Sequence, residues 1–182
     1  MLKRYACHIT AHVPVSAALE LKARHGFTGE DVAAVTVAGQ EKMVSRHNIT
    51  EPEDLAMAQY SAPFCVAMAL HRDPLDPRVF NDANLRDAAI RDTCRNTRVV
   101  RLPEGEQKNR FSSRVTVKLK DGREHELLAH DFEGMPHRPL TREALAAKFE
   151  RLTAGLPGLD SRALLERLQG IERLADMRAL PG

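Results

Sequence analysis

"RVTVKLKDGREHELLAH", residues 114–130, decides the fold class. Val115, Val117 and Leu119 alternate with polar residues, as a strand with one buried face requires. Asp121-Gly122 is the dipeptide of a tight turn, and a second apolar-polar run follows it directly, so the stretch reads as a β-hairpin. A hairpin commits the chain to antiparallel pairing, and the question becomes what covers its apolar face.

Working outward, "DVAAVTVAG" alternates Val35 and Val37 against Thr36 and reads as a further strand, and "TRVVRL" as one returning. Pro14 suits the first position of a helix in which Ala17, Ala18 and Leu21 form an apolar stripe, with Gly26 as the stop. Between Glu51 and His71 the apolar residues recur at near-helical spacing, but Pro63 lacks the amide proton a continuous helix needs, so two helical pieces meet near Ala62. Asp82 is expected to cap a helix running to about Asn96. Thr141 caps another, with Leu140 and Leu145 placed as a hydrophobic staple and Leu145, Phe149 and Leu152 on one face. A last helix starts at Asp160, presents Leu164, Leu168 and Ile171, and carries Gly170 within it. Residues 2–11 read as extended, and the polar stretch "RLPEGEQKNRFSS" as the mobile loop. The class is α+β: helices packed on one face of a small, largely antiparallel sheet, in one domain over residues 1–182.

The totals narrow the function. Lys and Arg number 27 against 25 Asp and Glu, so no general attraction to nucleic acid or membranes is expected and any electropositive site must be local. With no Trp and two Tyr there is no aromatic platform for single-stranded nucleic acid. No apolar run spans a bilayer and no signal-peptide core opens the chain, which leads to the expectation of a cytoplasmic protein. Cys7, Cys65 and Cys94 are separated and form no CxxC pair, so reduced thiols are expected.

The chemistry concentrates in "LKRYACHITAH", residues 2–12. His8 and His12 stand four apart beside Cys7, but Ile9 and Thr10 are poor helix formers and "HITAH" lacks the glutamate of the metalloprotease pattern, so a zinc site on Cys7, His8 and His12 ranks low. An anion is the better fit. With Pro14 opening the helix, His12 lies at its mouth, where unpaired backbone N–H groups favour a carboxylate or phosphate. Lys3 adds a full charge, provided that the chain turns between residues 3 and 12.

These residues also carry a resemblance. "LKRYACHITAHVPVSAALEL" resembles the segment K-x-[YF]-x-x-x-x-x-x-H-x-x-x-[DS]-A-A that opens the C-terminal domain of the MmgE/PrpD family, which includes methylcitrate dehydratase, cis-aconitate decarboxylase and iminodisuccinate epimerase. In the same order, "LAMAQYSAPFCVAMAL" is similar to the family's A-[KR]-[FY]-S-x-x-[YF]-x-x-A helix, "RVTVKLKDGREHE" to its hairpin, "PLTREALAAKFERL" to its P-L-[ST]-x-E-x-L-x-x-K-F, and "IERLADMRAL" to its final helix.

The resemblance implies a metal-independent and cofactor-free lyase or isomerase of small polycarboxylates, of which this is the α+β part. An all-helical domain that brings the abstracting base would have to come from elsewhere, and this part alone is expected to be inactive. Lys3 and His12 match the family's site lysine and motif histidine and are the catalytic candidates. Substrate-binding candidates are His8, without a secure family equivalent, Tyr60 and Ser61 of the [FY]-S motif, and Arg46 and His47 in a preceding loop. Tyr60 also fits a buried helix face and Ser61 a cap before Pro63. The expected partners are a polycarboxylate, the helical domain or a separate chain supplying it, and a second copy in a homodimer, with no nucleic acid and no membrane. The alternative is a non-catalytic module binding a small carboxylate or a protein.

Overall fold

The computed structural model describes residues 1–179. They fall into two compact units, one over Met1–Pro139 and one beginning at Leu140.

In the first unit four strands, β1 (Val32–Gly39), β2 (Thr97–Arg101), β3 (Ser113–Leu119) and β4 (Glu124–Ala129), form one sheet in the order β2-β1-β3-β4. The hairpin pairs Val115 with Leu127 and Val117 with His125. Its turn closes through Gly122, whose φ of 89° lies where a Cβ would be strained, and the Asp121 carboxylate accepts from the Arg123 N–H at 3.0 Å. β3 pairs antiparallel with β1, while β2 joins the other side of β1 in parallel. The sheet is therefore mixed, with two of its three pairings antiparallel.

Six helices belong to this unit: α1 (His12–His25), α2 (Glu41–Arg46), α3 (Leu55–Tyr60), α4 (Ala62–His71), α5 (Asp82–Arg86) and α6 (Ala88–Arg95). Alternation sends Val35, Val37, Val99, Val115 and Val117 to one face, where they pack with Val15, Ala18 and Leu21 of α1 and Val66, Ala69 and Leu70 of α4. Each of the valine and leucine side chains, fully buried, contributes about 1.5–3 kcal/mol. The other face carries Thr36, Thr116 and Lys118, which are not buried. α4 is apolar on every side because it serves two cores: its Phe64, Ala67 and Met68 meet Leu85, Ile90 and Cys94 from α5 and α6.

Several expectations are corrected. Residues 4–7 bend and Ile9–Ala11 form a 3-10 turn, so the opening strip is not a strand. α1 starts at His12, and Pro14 is its third residue; the first turn has no intrahelical use for an amide proton, so proline is tolerated there. Asp82 is the first residue of α5, capped by Asn81, and Asp87 then accepts from the N–H groups of Ala89 and Ile90 and starts α6, splitting the expected single helix. The stretch 101–113, expected to be mobile, is held by hydrogen bonds: the Ser112 hydroxyl accepts from the N–H groups of Lys108 and Asn109, and Asn109 Nδ2 donates to the His130 carbonyl at 2.8 Å.

In the second unit the Thr141 side chain accepts from the Ala144 N–H at the start of α7 (Arg142–Thr153), and Asp160 caps α8 (Ser161–Gln169). Gly170 ends α8 instead of lying within it, and Ile171–Arg173 continue as a 3-10 turn. Of the segment similar to the family's final helix, Ile171–Arg173 and Met177–Ala179 are 3-10 turns and Leu180 lies outside the described residues.

Candidate functional site

The opening strip loops back on itself, and His12 is the post it closes around. The Tyr5 N–H donates to His12 Nε2 at 3.3 Å, which makes that nitrogen the acceptor and leaves the proton on Nδ1. Nδ1 faces the His8 carbonyl at 3.3 Å and the Cys7 sulfur at 3.7 Å. The ring packs against Phe132 at 4.9 Å between centroids and has no solvent exposure. The N–H groups of Ala11 and His12 are taken by the His8 and Ile9 carbonyls, so the 3-10 turn occupies the helix mouth that the sequence assigned to an anion.

His8 is placed differently. Its N–H donates to the Gln59 carbonyl at 2.8 Å, tying the strip to α3. Its Nδ1 accepts from the Thr10 N–H at 3.4 Å and contacts the Thr10 hydroxyl at 2.9 Å, so the ring proton sits on Nε2. The ring stacks on His47 at 4.4 Å and lies 4.6 Å from the Tyr60 ring. Burial, followed by the charges of His47, Lys3 and Lys42, pushes the His8 pKa down to about 4. At neutral pH the residue is thus an uncharged N–H donor.

His47 supports this stack from below. It is 2% exposed, its Nδ1 contacts the Tyr60 carbonyl at 3.0 Å, and its Nε2 is buried without a partner. Since a carbonyl can only accept, Nδ1 carries the proton and Nε2 presents a lone pair. Burial lowers the pKa of His47, opposed by the Tyr60 carbonyl and reinforced by Lys42 and Arg46.

Beside His8 opens a hollow of about 420 Å³ lined by Met1, His8, Ile9, Thr10, Gln40, Lys42, Met43, Arg110 and Phe111. Lys42 and Arg110 are its charged lining residues, and no carboxylate is among them. The far wall is the ordered loop: Gln40 Nε2 donates to the Asn109 carbonyl at 3.0 Å, and the Arg110 guanidinium lies 4.9 Å over the Phe111 ring.

The structure thus gathers Lys3, through its charge, with His8, His47 and Tyr60, which is 52% exposed. Arg46 is exposed at the end of α2, and His47 is the C-cap of that helix, so neither sits in an irregular loop. Ser61 is fully buried, caps α4 by accepting from the Phe64 N–H at 2.9 Å and donates to the Ile49 carbonyl at 2.5 Å. His12 does not line the hollow. Sequence reasoning missed Lys42 and Arg110; the Asn109 and Ser112 side chains, typical stabilisers of turns, were the available sign that the loop is ordered. Cys7, read from the sequence as a reduced thiol and a low-ranked zinc ligand, has its pKa lowered by the Cys65 thiol, opposed by burial, and lowered further by the His12 ring and the Lys3 charge, while burial pushes Cys65 up. Among the described residues no three His, Cys, Asp or Glu side chains group as metal ligands, and no helix is long and apolar enough to cross a membrane.

The family model of the MmgE/PrpD C-terminal domain matches residues 5–169. The match takes in His8, His12, Arg46, His47, Tyr60 and Ser61 and begins two residues after Lys3. No curated protein is matched by the chain.

Proposed function

The chain belongs to the MmgE/PrpD family through its C-terminal domain, and from that premise we propose that it forms the cationic wall of a carboxylate site in a lyase or isomerase of small polycarboxylates. Removing a proton, or a carboxyl group, next to a carboxylate builds negative charge on a ligand that is already anionic. The wall that lowers this barrier must present fixed donors and positive charge where the charge develops. The observation that carries the reading is His8: its Nδ1 is occupied by Thr10, its Nε2–H is the proton it can offer, and the charges of Lys3 and Lys42 both bear on it.

In this reading Lys3 neutralises the substrate carboxylate or the enolate-like intermediate, and His8 donates from Nε2. His8 is a poor base, because its pKa of about 4 leaves little drive to take up a proton. Tyr60 offers its phenol beside the same ring. His12 is a positioning residue that holds the His8 carbonyl and the Tyr5 amide. The abstracting base comes from the helical domain, on a longer chain or a separate one, and a cleft between domains is the usual place for such a site. A cytoplasmic, homodimeric enzyme is the setting we propose.

The test is a titration of the chain with tricarballylate, an unreactive tricarboxylate, followed by histidine-ring NMR. His8 should shift, Lys3→Ala should weaken the response, and the chain alone should not turn over methylcitrate or cis-aconitate. An unmoved His8, or turnover by the chain alone, would overturn the assignment.

A further inference from the structure

We propose that the hollow beside His8 is a second carboxylate subsite, in which Lys42 and Arg110 hold a remote carboxylate while Ile9, Met43 and Phe111 cover the carbon chain that links it to the group at His8. The inference rests on the reading of His8 as a carboxylate donor and adds to it the length and character of the ligand.

Three observations converge. The cavity of about 420 Å³ has the size of a small-molecule site, and its charged lining residues are both cations. Neither Lys42 nor Arg110 is in an ion pair among the described residues, although the surrounding surface is rich in them: Arg101 with Glu104 and Arg114 with Glu106 pair within the same loop region. Arg110 is also held in place, with its guanidinium over the Phe111 ring at 4.9 Å and its loop fixed by the Gln40 contact at 3.0 Å to the Asn109 carbonyl. A guanidinium so fixed loses less freedom when it takes a carboxylate in two-point contact.

The apolar residues set the second requirement. Ile9, Met43 and Phe111, the last two also packed in the cores of the unit, give the hollow an apolar stretch of wall that a ligand with methylene or methyl groups between its carboxylates gains by covering. Within the polycarboxylates already proposed, the hollow therefore favours those whose second carboxylate is set off by an apolar segment. A monocarboxylate would use His8 and Lys3 alone, and a compact inorganic anion such as phosphate would leave the apolar wall uncovered.

The experiment compares acetate, tricarballylate and inorganic phosphate on the chain and on Lys42→Ala and Arg110→Ala, reading the His8 ring signals and the Arg110 Nε–H signal. Tricarballylate should bind more tightly than acetate or phosphate and should move Arg110. Each substitution should weaken tricarballylate about three- to fivefold, the scale of an exposed charge contact, and Arg110→Ala, whose charge is not among those bearing on His8, should leave acetate unchanged. Two results would overturn the subsite and leave the His8 reading standing: equal affinity for acetate and tricarballylate, or a tricarballylate affinity that neither substitution alters. If none of the three anions moves His8, both fall together. Because Lys42 and Arg110 are exposed, neither variant threatens folding.

Discussion

His8 and His12 are one helical turn apart in sequence, yet they occupy regions of opposite character. Around His12 every contact is with the protein itself: an amide on one ring nitrogen, a carbonyl and a thiol on the other, a phenyl ring alongside. Around His8 one ring nitrogen is held by Thr10, and the residue lines a hollow whose charged side chains are cations. The motif histidine is thus sealed in the core, while the histidine four residues before it is the partly exposed one that lines a hollow. The sealed one fixes the loop, and the loop presents the open one.

The largest expected effect falls on the sealed side. His12→Ala removes the acceptor of the Tyr5 amide and leaves a cavity against Phe132, so it should destabilise the chain by about 3 kcal/mol in denaturant unfolding. A loss under about 1 kcal/mol would erase the contrast. Next comes the loop that walls the hollow. Asn109→Ala breaks bonds to the His130 carbonyl and the Phe111 amide and should cost about 1–2 kcal/mol, with faster amide exchange at Arg110 and Phe111. His8→Ala is expected to cost less than about 1 kcal/mol and still abolish the response to tricarballylate, because a half-exposed ring contributes more to the site than to the core.

A separate effect is one of pH. A histidine whose pKa is depressed in the folded state resists protonation there while the unfolded chain accepts the proton. The stability it supports is complete above the ordinary 6.5 and drains away as pH falls toward about 4. His47 and His71, both lowered chiefly by burial, act in the same direction. The thermal midpoint should therefore fall between pH 6.5 and 4, and His8→Ala should flatten that slope, whereas a midpoint that rises on acidification would contradict it.

The hairpin, the α1 stripe, the helix break at Ala62, the cap at Thr141 and the start of a helix at about Asp160 were legible because each is a local rule: period-two alternation, a turn dipeptide, a proline, a side chain that accepts an N–H. The opening strip was not. Its conformation is set by contacts with α3, Gly134 and Phe132, which lie about fifty or more than a hundred residues away, and nothing in residues 2–11 records them. The placement of Arg46 and His47 failed for a related reason: α2 is six residues long, too short for periodicity to show. Lys42 and Arg110 stand 68 residues apart and meet at one hollow only because β1 and β3 pair and carry their flanking loops to the same end of the sheet.

The most direct test of the account is a long-range ¹H–¹⁵N spectrum of the histidine rings recorded through a pH titration. His8 should show the Nε2–H tautomer at neutral pH, titrate with a midpoint near 4 and shift on addition of tricarballylate. A His8 ring that titrates near 6.5, carries its proton on Nδ1 and ignores the tricarboxylate would contradict it.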